Sequence, residues 1–362
     1  MSEKNTLLVG SRKGLIVYRK NVSGKWRHDS TEFLGFPVTI ACIDENTGYW
    51  WAMLDHGHWG CKIHRSKDGK EWEELEAPKY PEGEELKDGS PAATKYLWAF
   101  ATGGKGQPGT IYVGTEPGGL FKSTNNGDSF ELVRGLWDHP SRIEWFGGGR
   151  DNAGIHSILV DPADSNHIYV AVSCAGTFET LDGGESWKSV NKGLYAEFLP
   201  DPTADIGQDP HLVDWCAGNP KVMWQQNHCG IYRSVNGGEF WDKVSEENGP
   251  AHFGFAIAAS ETDTNVAWVV PGDSDQMRVA VDSALCVCRT DDGGKTWKAF
   301  REGLPQENVF DITYRHALDV TGSTLAFGTT TGNLYLSEND GESWATLSNN
   351  LPMVHSVEFC NT

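Results

Sequence analysis

The stretch Thr180–Trp187 reads Thr-Leu-Asp-Gly-Gly-Glu-Ser-Trp and is the clearest copy of a short repeat. Each copy has a hydroxyl residue first, Asp or Asn third, a glycine in the middle and an aromatic residue last. The copies lie at 66–72 (one residue short), 123–130, 180–187, 234–241, 290–297 and 337–344. In a β-hairpin turn, Asp or Asn caps backbone N–H groups and glycine takes the positive φ. The repeat therefore predicts structural turns rather than catalytic residues.

Each copy follows two apolar stretches that alternate as half-buried strands do. Examples are 110–114 followed by 119–123, and 167–171 ahead of the copy at 180–187. The spacing between copies fits one four-stranded sheet per copy, and repeats of this kind indicate a propeller. We predict an all-β, seven-bladed β-propeller with four-stranded antiparallel blades, formed by a single domain over residues 1–362.

The seventh blade is predicted to be shared between the two ends of the chain. Residues 6–30 supply three strands, and residues 353–360 supply the missing innermost strand. Pairing the N-terminal strands with the C-terminal strand closes the ring and removes exposed sheet edges. Loss of the last eight residues should therefore damage the whole fold.

These repeats, with segments such as 114–123 and 225–234, resemble those of the BNR/Asp-box repeat propellers of the sialidase superfamily. The resemblance is to single-domain bacterial proteins described as sialidase-like or WD40/YVTN/BNR-like, and it implies a propeller with glycosyl hydrolase-like relatives. Sialidases carry an Arg-Ile-Pro motif near the start, which this chain lacks. Its Arg-Ile pair, Arg142-Ile143, is followed by Glu144. True sialidase activity is therefore not expected.

Composition narrows the range of partners. The formal net charge of −20 argues against nucleic acid and anionic membrane surfaces, so a small-molecule substrate is expected. No signal segment or membrane-spanning stretch is recognised, and the eight cysteines form no CxxC pair. We therefore expect a cytoplasmic protein with free thiols. The oligomeric state stays open.

Long loops are expected on one face of the propeller, opposite the repeats. The stretches 78–94, 134–154 and 194–210 connect blades, and 271–284 is an insertion between two strands. Long loops on a rigid scaffold usually carry function. We therefore expect the site at the mouth of the central channel on this face. Arginines in these loops, such as Arg278, could bind a carboxylate.

Histidines are concentrated on that same face. Several begin inner strands, and others lie in loops beside them. Convergent imidazoles are ligands for Zn, Mn or Fe, so a divalent metal is a possible cofactor. The residues expected to bind it are His156, His211, His228 and His355. Alternatively, histidines act as general acids or bases without metal, or simply hydrogen-bond the loops to one another.

Further roles follow from position. The residues expected to take part in catalysis are His156, His211, Glu116 and Arg315. The residues expected to contact substrate are His56, His58, Trp145, Arg150 and His252. Trp145 and Arg150 lie in a loop with three successive glycines, which suits a lid that stacks on a sugar ring.

The predicted function is a hydrolase or lyase that acts on a small carbohydrate-like or carboxylated substrate at this histidine-rich site. Two alternatives remain open. One is a binding or assembly propeller without catalysis, like the Asp-box factors that assemble photosynthetic complexes. The other is a histidine-ligated iron oxygenase, because four-histidine iron sites occur in other propellers.

Overall fold

The computed structural model describes residues 4–246 and 248–362, and nearly all its regular structure is β-strand. Its strands form seven four-stranded antiparallel sheets, the blades of a β-propeller. The predicted fold class is therefore confirmed. The α-helix in the described residues is α1 (Arg134–Trp137), and single 3-10 turns lie at Gly57–Trp59, Pro140–Glu144 and Val281–Ser283. No helix in these residues is long and apolar enough to cross a membrane.

The strands are numbered along the chain. The first three blades contain β1 (Thr6–Ser11), β2 (Gly14–Lys20), β3 (Trp26–Glu32), β4 (Val38–Ile43), β5 (Trp50–Asp55), β6 (Cys61–Ser66), β7 (Trp72–Leu75), β8 (Tyr96–Thr102), β9 (Ile111–Glu116), β10 (Leu120–Ser123) and β11 (Glu131–Leu132). The next two contain β12 (Ile155–Val160), β13 (Ile168–Val172), β14 (Gly176–Thr180), β15 (Lys188–Ser189), β16 (Pro210–Trp215), β17 (Met223–Asn227), β18 (Gly230–Ser234) and β19 (Asp242–Lys243). The last strands are β20 (Phe253–Ala259), β21 (Ala267–Gly272), β22 (Val287–Thr290), β23 (Lys298–Phe300), β24 (Leu318–Thr321), β25 (Thr324–Gly328), β26 (Leu334–Ser337), β27 (Ala345–Ser348) and β28 (Val354–Cys360).

The first blade has the strand order β28-β1-β2-β3, and each later blade uses four consecutive strands. Two compact units can be distinguished in the chain. The first unit comprises the chain up to Cys42 together with His211–Thr362, and the second is Ile43–Pro210. The boundaries fall inside β4 and β16, so the first unit holds blades one, five, six and seven. The single domain over residues 1–362 stays a prediction.

The predicted pairing of the two ends of the chain is confirmed within the first unit. β1 pairs antiparallel with β28, with Thr6 opposite Cys360 and Leu8 opposite Glu358. Leu7, Val9, Val357 and Phe359 are buried in one apolar cluster with Trp26. The inner strand of the first blade thus comes from the far end of the sequence.

The repeats form the tight turns expected of them. In the copy at 180–187, the backbone N–H of Gly184 donates to the Thr180 hydroxyl at 3.1 Å, and that of Ser186 donates to Asp182 Oδ1 at 3.0 Å. Gly184 has a φ of 106°. The Trp187 indole lies in an apolar cluster with Val133 of the preceding blade. The equivalent two bonds recur in the copies at 123–130, 234–241, 290–297 and 337–344.

A charged hydrogen-bond network stabilises the fourth blade. His167 Nδ1 lies 3.1 Å from Asp161 Oδ2, and its Nε2 lies 2.8 Å from Glu179 Oε1. Burial alone would raise the pKa of Glu179, but hydrogen bonds from His167, Lys188 and Tyr169 lower it to about 2. The hydrogen bond to Glu179 raises the pKa of His167, and the hydrogen bond to Asp161 raises it further.

We expect His167→Gln to destabilise the protein in a pH-dependent way. At pH 5 the imidazolium bridges two carboxylates, and charged hydrogen bonds of this kind stabilise by about 2 kcal/mol. Because the pKa of His167 is raised in the folded protein, this stabilisation is fully present below the usual histidine pKa of about 6.5. It is lost as the pH rises through the raised pKa. Urea unfolding of both proteins between pH 5 and 9 measures it. A difference that stays constant across that range would contradict the assignment.

Candidate functional site

His211, near the start of β16, has a fixed ring orientation. Its Nδ1 lies 2.6 Å from the carbonyl oxygen of Gly254. A carbonyl can only accept, so Nδ1 carries the proton. The ring stacks on Phe255 with centroids 4.5 Å apart and planes inclined by 20°. A metal ion would therefore bind His211 through Nε2.

His228 approaches His211 from the loop after β17. The two ring centroids lie 5.5 Å apart with planes nearly perpendicular. His228 Nε2 lies 3.7 Å from Asp275 Oδ2, and Asp275 belongs to the 271–284 insertion. His228 also contacts the edge of Phe253, at 6.0 Å between centroids. Neighbouring blades of the first unit thus bring two imidazoles and a carboxylate together.

His211 and His228 form the candidate pair of metal ligands. A ring nitrogen of each histidine lies within 4.8 Å of a ring nitrogen of the other. Neutral imidazoles bind divalent metals such as Zn, Mn and Fe in proteins. This pair could contribute two ligands to such a metal.

Only part of the expected group of four histidines comes together here. His211 and His228 lie side by side as expected. Among the described residues of the first unit, His355 is not part of this pair, and its Nδ1 lies 3.2 Å from the carbonyl oxygen of Val38. His156 belongs to the second unit. Asp275, 3.7 Å from His228, was not predicted, because its place in the insertion follows no repeat.

The second unit contains a different polar cluster around Glu116, at the end of β9. The Glu116 carboxylate is buried and lies 2.7 Å from Arg150 Nη1. The Arg150 guanidinium carbon lies 4.2 Å from the ring centroid of Tyr96 and 4.7 Å from that of Trp98. The Arg150 guanidinium thus balances the charge of the Glu116 carboxylate, and two aromatic rings hold Arg150 in place. These contacts anchor the 134–154 loop in which Arg150 lies.

His156 lies behind this cluster. It is fully buried, its ring contacts the edge of Trp98 at 5.8 Å, and its Nδ1 lies 3.1 Å from the Ser157 hydroxyl. Trp145, predicted as part of a lid, is also buried: it packs on Phe178 at 5.1 Å and donates its indole N–H to Ser141. We attribute a packing role to Trp145 because its ring faces the core.

The remaining predicted residues occupy separate places. His58 is exposed and contacts the edge of Trp59 at 5.2 Å, and His56 lies two residues before it, after β5. His252 lies just before β20. Arg315 precedes β24, and its guanidinium carbon lies 5.2 Å from the Phe255 centroid. The catalytic and substrate-contact roles stay predictions.

Known proteins share the fold and part of the sequence. No protein-family model matches the chain. It is 24% identical to Xyloglucanase Xgh74A from Acetivibrio thermocellus over 284 residues, which cover 69% of this chain and 32% of the relative. A xyloglucanase from Paenibacillus sp. is 22% identical over 286 residues, covering 70% of this chain and 27% of that protein. The chain thus spans about a third of the length of the curated relatives it matches.

Solved structures show the same architecture. An ancestral GH74 enzyme superposes with a TM-score of 0.60 at 17% identity, covering 96% of this chain and 40% of that one. YCF48 from Cyanidioschyzon merolae gives a TM-score of 0.54 at 15% identity, covering 94% and 95%. At these identities the structures establish the fold alone. The chain is therefore a β-propeller with distant sequence similarity to xyloglucanases.

Proposed function

We propose that this chain is a carbohydrate hydrolase that acts on a small carbohydrate-like substrate with the help of a divalent metal. The observation that carries the proposal is the pairing of His211 and His228 within the first unit. The sequence similarity to xyloglucanases supports the choice of a carbohydrate, although it covers only part of those proteins. We assign the metal-binding role to these two histidines.

The residues present fit a metal because the first ligand is held in place before binding. The Gly254 carbonyl fixes the tautomer of His211, and the face of Phe255 fixes its ring plane. A backbone carbonyl behind a ligand histidine is a common support in metal sites. Two histidine ligands leave coordination positions for further ligands, including water or substrate. A bound divalent ion would activate water or polarise the bond to be cleaved.

The experiment is a metal titration of the untagged, chelator-stripped chain with Zn(II), Mn(II) and, without oxygen, Fe(II). We expect one ion per chain. His211→Ala and His228→Ala should each weaken binding by at least about 100-fold, because the change removes a direct ligand, and loss of a supporting residue alone costs 10- to 100-fold. Metal-dependent release of reducing sugars from xyloglucan oligosaccharides would then test hydrolysis.

The matched control is His28→Ala, since His28 is an exposed histidine whose Nε2 lies 2.8 Å from the Thr31 hydroxyl. This variant should bind metal like the parent. Thermal unfolding of every variant shows whether a loss of binding reflects a loss of fold. Absence of stoichiometric metal, or equal binding by the His211→Ala/His228→Ala double variant, would overturn the proposal and favour the non-catalytic binding or assembly propeller.

A further inference from the structure

We infer that the substrate carries a carboxylate, as an acidic sugar does, and that Arg278 binds it with Arg315 nearby. This inference rests on the proposed function and narrows its substrate class. It starts from one aromatic ring, Phe255, which contacts both a candidate metal ligand and two arginines. The ring stacks on His211, and the guanidinium carbons of Arg278 and Arg315 lie 5.5 Å and 5.2 Å from its centroid.

Arg278 is a positive charge without a neutralising partner in the described part of the chain. It is exposed, and its Nε donates to the backbone carbonyl of Asp275 at 3.1 Å. Its guanidinium makes no ion pair there. The carboxylate of Asp275 lies near His228 instead, at 3.7 Å from Nε2. The Arg278 side chain is thus oriented by a carbonyl and a ring, and its charge is available to a ligand.

Other contacts hold the insertion that presents Arg278. His252 Nε2 lies 3.0 Å from the carbonyl oxygen of Asp273, and its Nδ1 lies 2.8 Å from that of Gly249. The backbone N–H of Asp273 donates to the carbonyl of Val279 at 2.9 Å. His252 therefore connects the insertion to the segment that leads into β20. A cation on a braced loop pays less ordering entropy on binding than one on a free loop.

Arg315 adds a second cation from another blade. It precedes β24, and the neighbouring Tyr314 contacts the edge of Phe255 at 5.5 Å between centroids. The contacts of Tyr314 and Arg315 hold this segment against Phe255, the ring on which His211 stacks. The first unit thus places two arginines and two histidines around one aromatic pair, Phe253 and Phe255, with Asp273 and Asp275 as acidic groups of the insertion.

The ligand chemistry follows from these charges. The chain has a formal net charge of −20, so a local group of cations is a specific feature and not part of a general basic surface. A guanidinium presents paired N–H donors that match a planar carboxylate. The two arginines balance the carboxylates of Asp273 and Asp275, so a divalent metal held by His211 and His228 would make the site positive. A sugar that brings a carboxylate offsets this charge, and a neutral sugar does not.

Three probes that differ only at C6 test the inference: D-glucuronate, D-glucose and D-glucose 6-phosphate. Binding to the metal-loaded full chain is measured by ligand-observed NMR titration. We expect glucuronate to bind at least about tenfold more tightly than glucose, which corresponds to about 1.4 kcal/mol. Glucose 6-phosphate should bind more weakly than glucuronate.

Arg278→Gln should abolish the preference for glucuronate over glucose. The matched control is Arg142→Gln, because the Arg142 guanidinium carbon also lies over an aromatic ring, 3.9 Å from the Trp137 centroid, but in the second unit. That variant should keep the preference. Equal binding of glucuronate and glucose by the parent chain, tighter binding of the phosphate, or a preference that survives Arg278→Gln would overturn the inference.

The outcomes separate this inference from the proposed function. Arg278→Gln should bind metal like the parent, since Arg278 is not a ligand. If the His211–His228 pair binds metal as expected and glucuronate shows no advantage, only the substrate class is wrong. If no metal binds, the proposed function fails whatever the sugars do.

Discussion

A chain that lacks residues 355–362 will not give a cooperatively folded protein. The deletion removes nearly all of β28, which is the inner strand of the first blade. Val357 and Phe359 leave the apolar cluster around Leu7 and Trp26, and each buried side chain of this size contributes about 2 kcal/mol. Since domains are stable by only about 5–15 kcal/mol, and β1 also loses one of its two partner strands, the remaining first unit should unfold.

Circular dichroism and urea unfolding measure this effect. The matched control removes only residues 361–362, which follow β28 and leave its pairing with β1 intact. That shorter deletion should unfold with nearly the same midpoint as the complete chain. A sharp, parent-like transition in the longer deletion would show that the first blade does not need its inner strand.

Gly332→Ala will be strongly destabilising. Gly332 lies in the turn between β25 and β26 with a φ of +89°, and a Cβ placed there would lie 1.6 Å from the Leu351 carbonyl oxygen. The backbone N–H of Leu351 also donates to the Gly332 carbonyl at 3.1 Å, so the two segments cannot separate without losing that bond. We expect a loss of about 3 kcal/mol or more, at the upper end for overpacking.

Gly322→Ala is the matched control in the same blade. Gly322 also has a positive φ, +56°, but a Cβ there meets nothing within 4 Å. This substitution should cost only the backbone preference of glycine, about 1 kcal/mol. Thermal and urea unfolding of the two variants compare strain alone with strain plus a backbone clash. Equal losses in both would mean that the segment around Leu351 moves freely out of the way.

The fold could be predicted because its signals are local. Each repeat carries its own turn chemistry: in the copy at 290–297, Thr290 and Asp292 cap their own turn, as in the other full-length copies. The closing pair of strands was also predictable, since the last apolar stretch had no other sheet to join. Such information depends on short spacing and alternation, which a single sequence displays directly.

The candidate site was predictable only in part, because it depends on distances between blades. His211 and His228 could be placed on one face by their positions in the repeat, but the pattern could not tell which histidines share a centre. Trp145 shows the same limit: a tryptophan beside three glycines suggested a lid, and the sequence could not show that its ring packs on Phe178. Side-chain direction in a long loop is set by packing that leaves no periodic trace in the sequence.

The pairing of β1 with β28 bears on how the protein is made. These two strands come from residues near 6 and near 360, so the first blade joins a strand that is made early with one that is made much later. Contacts between such distant segments form late, because a long loop must be closed first. Until β28 has been synthesised, the nascent chain carries β1 with an open edge, which is a natural target for chaperones.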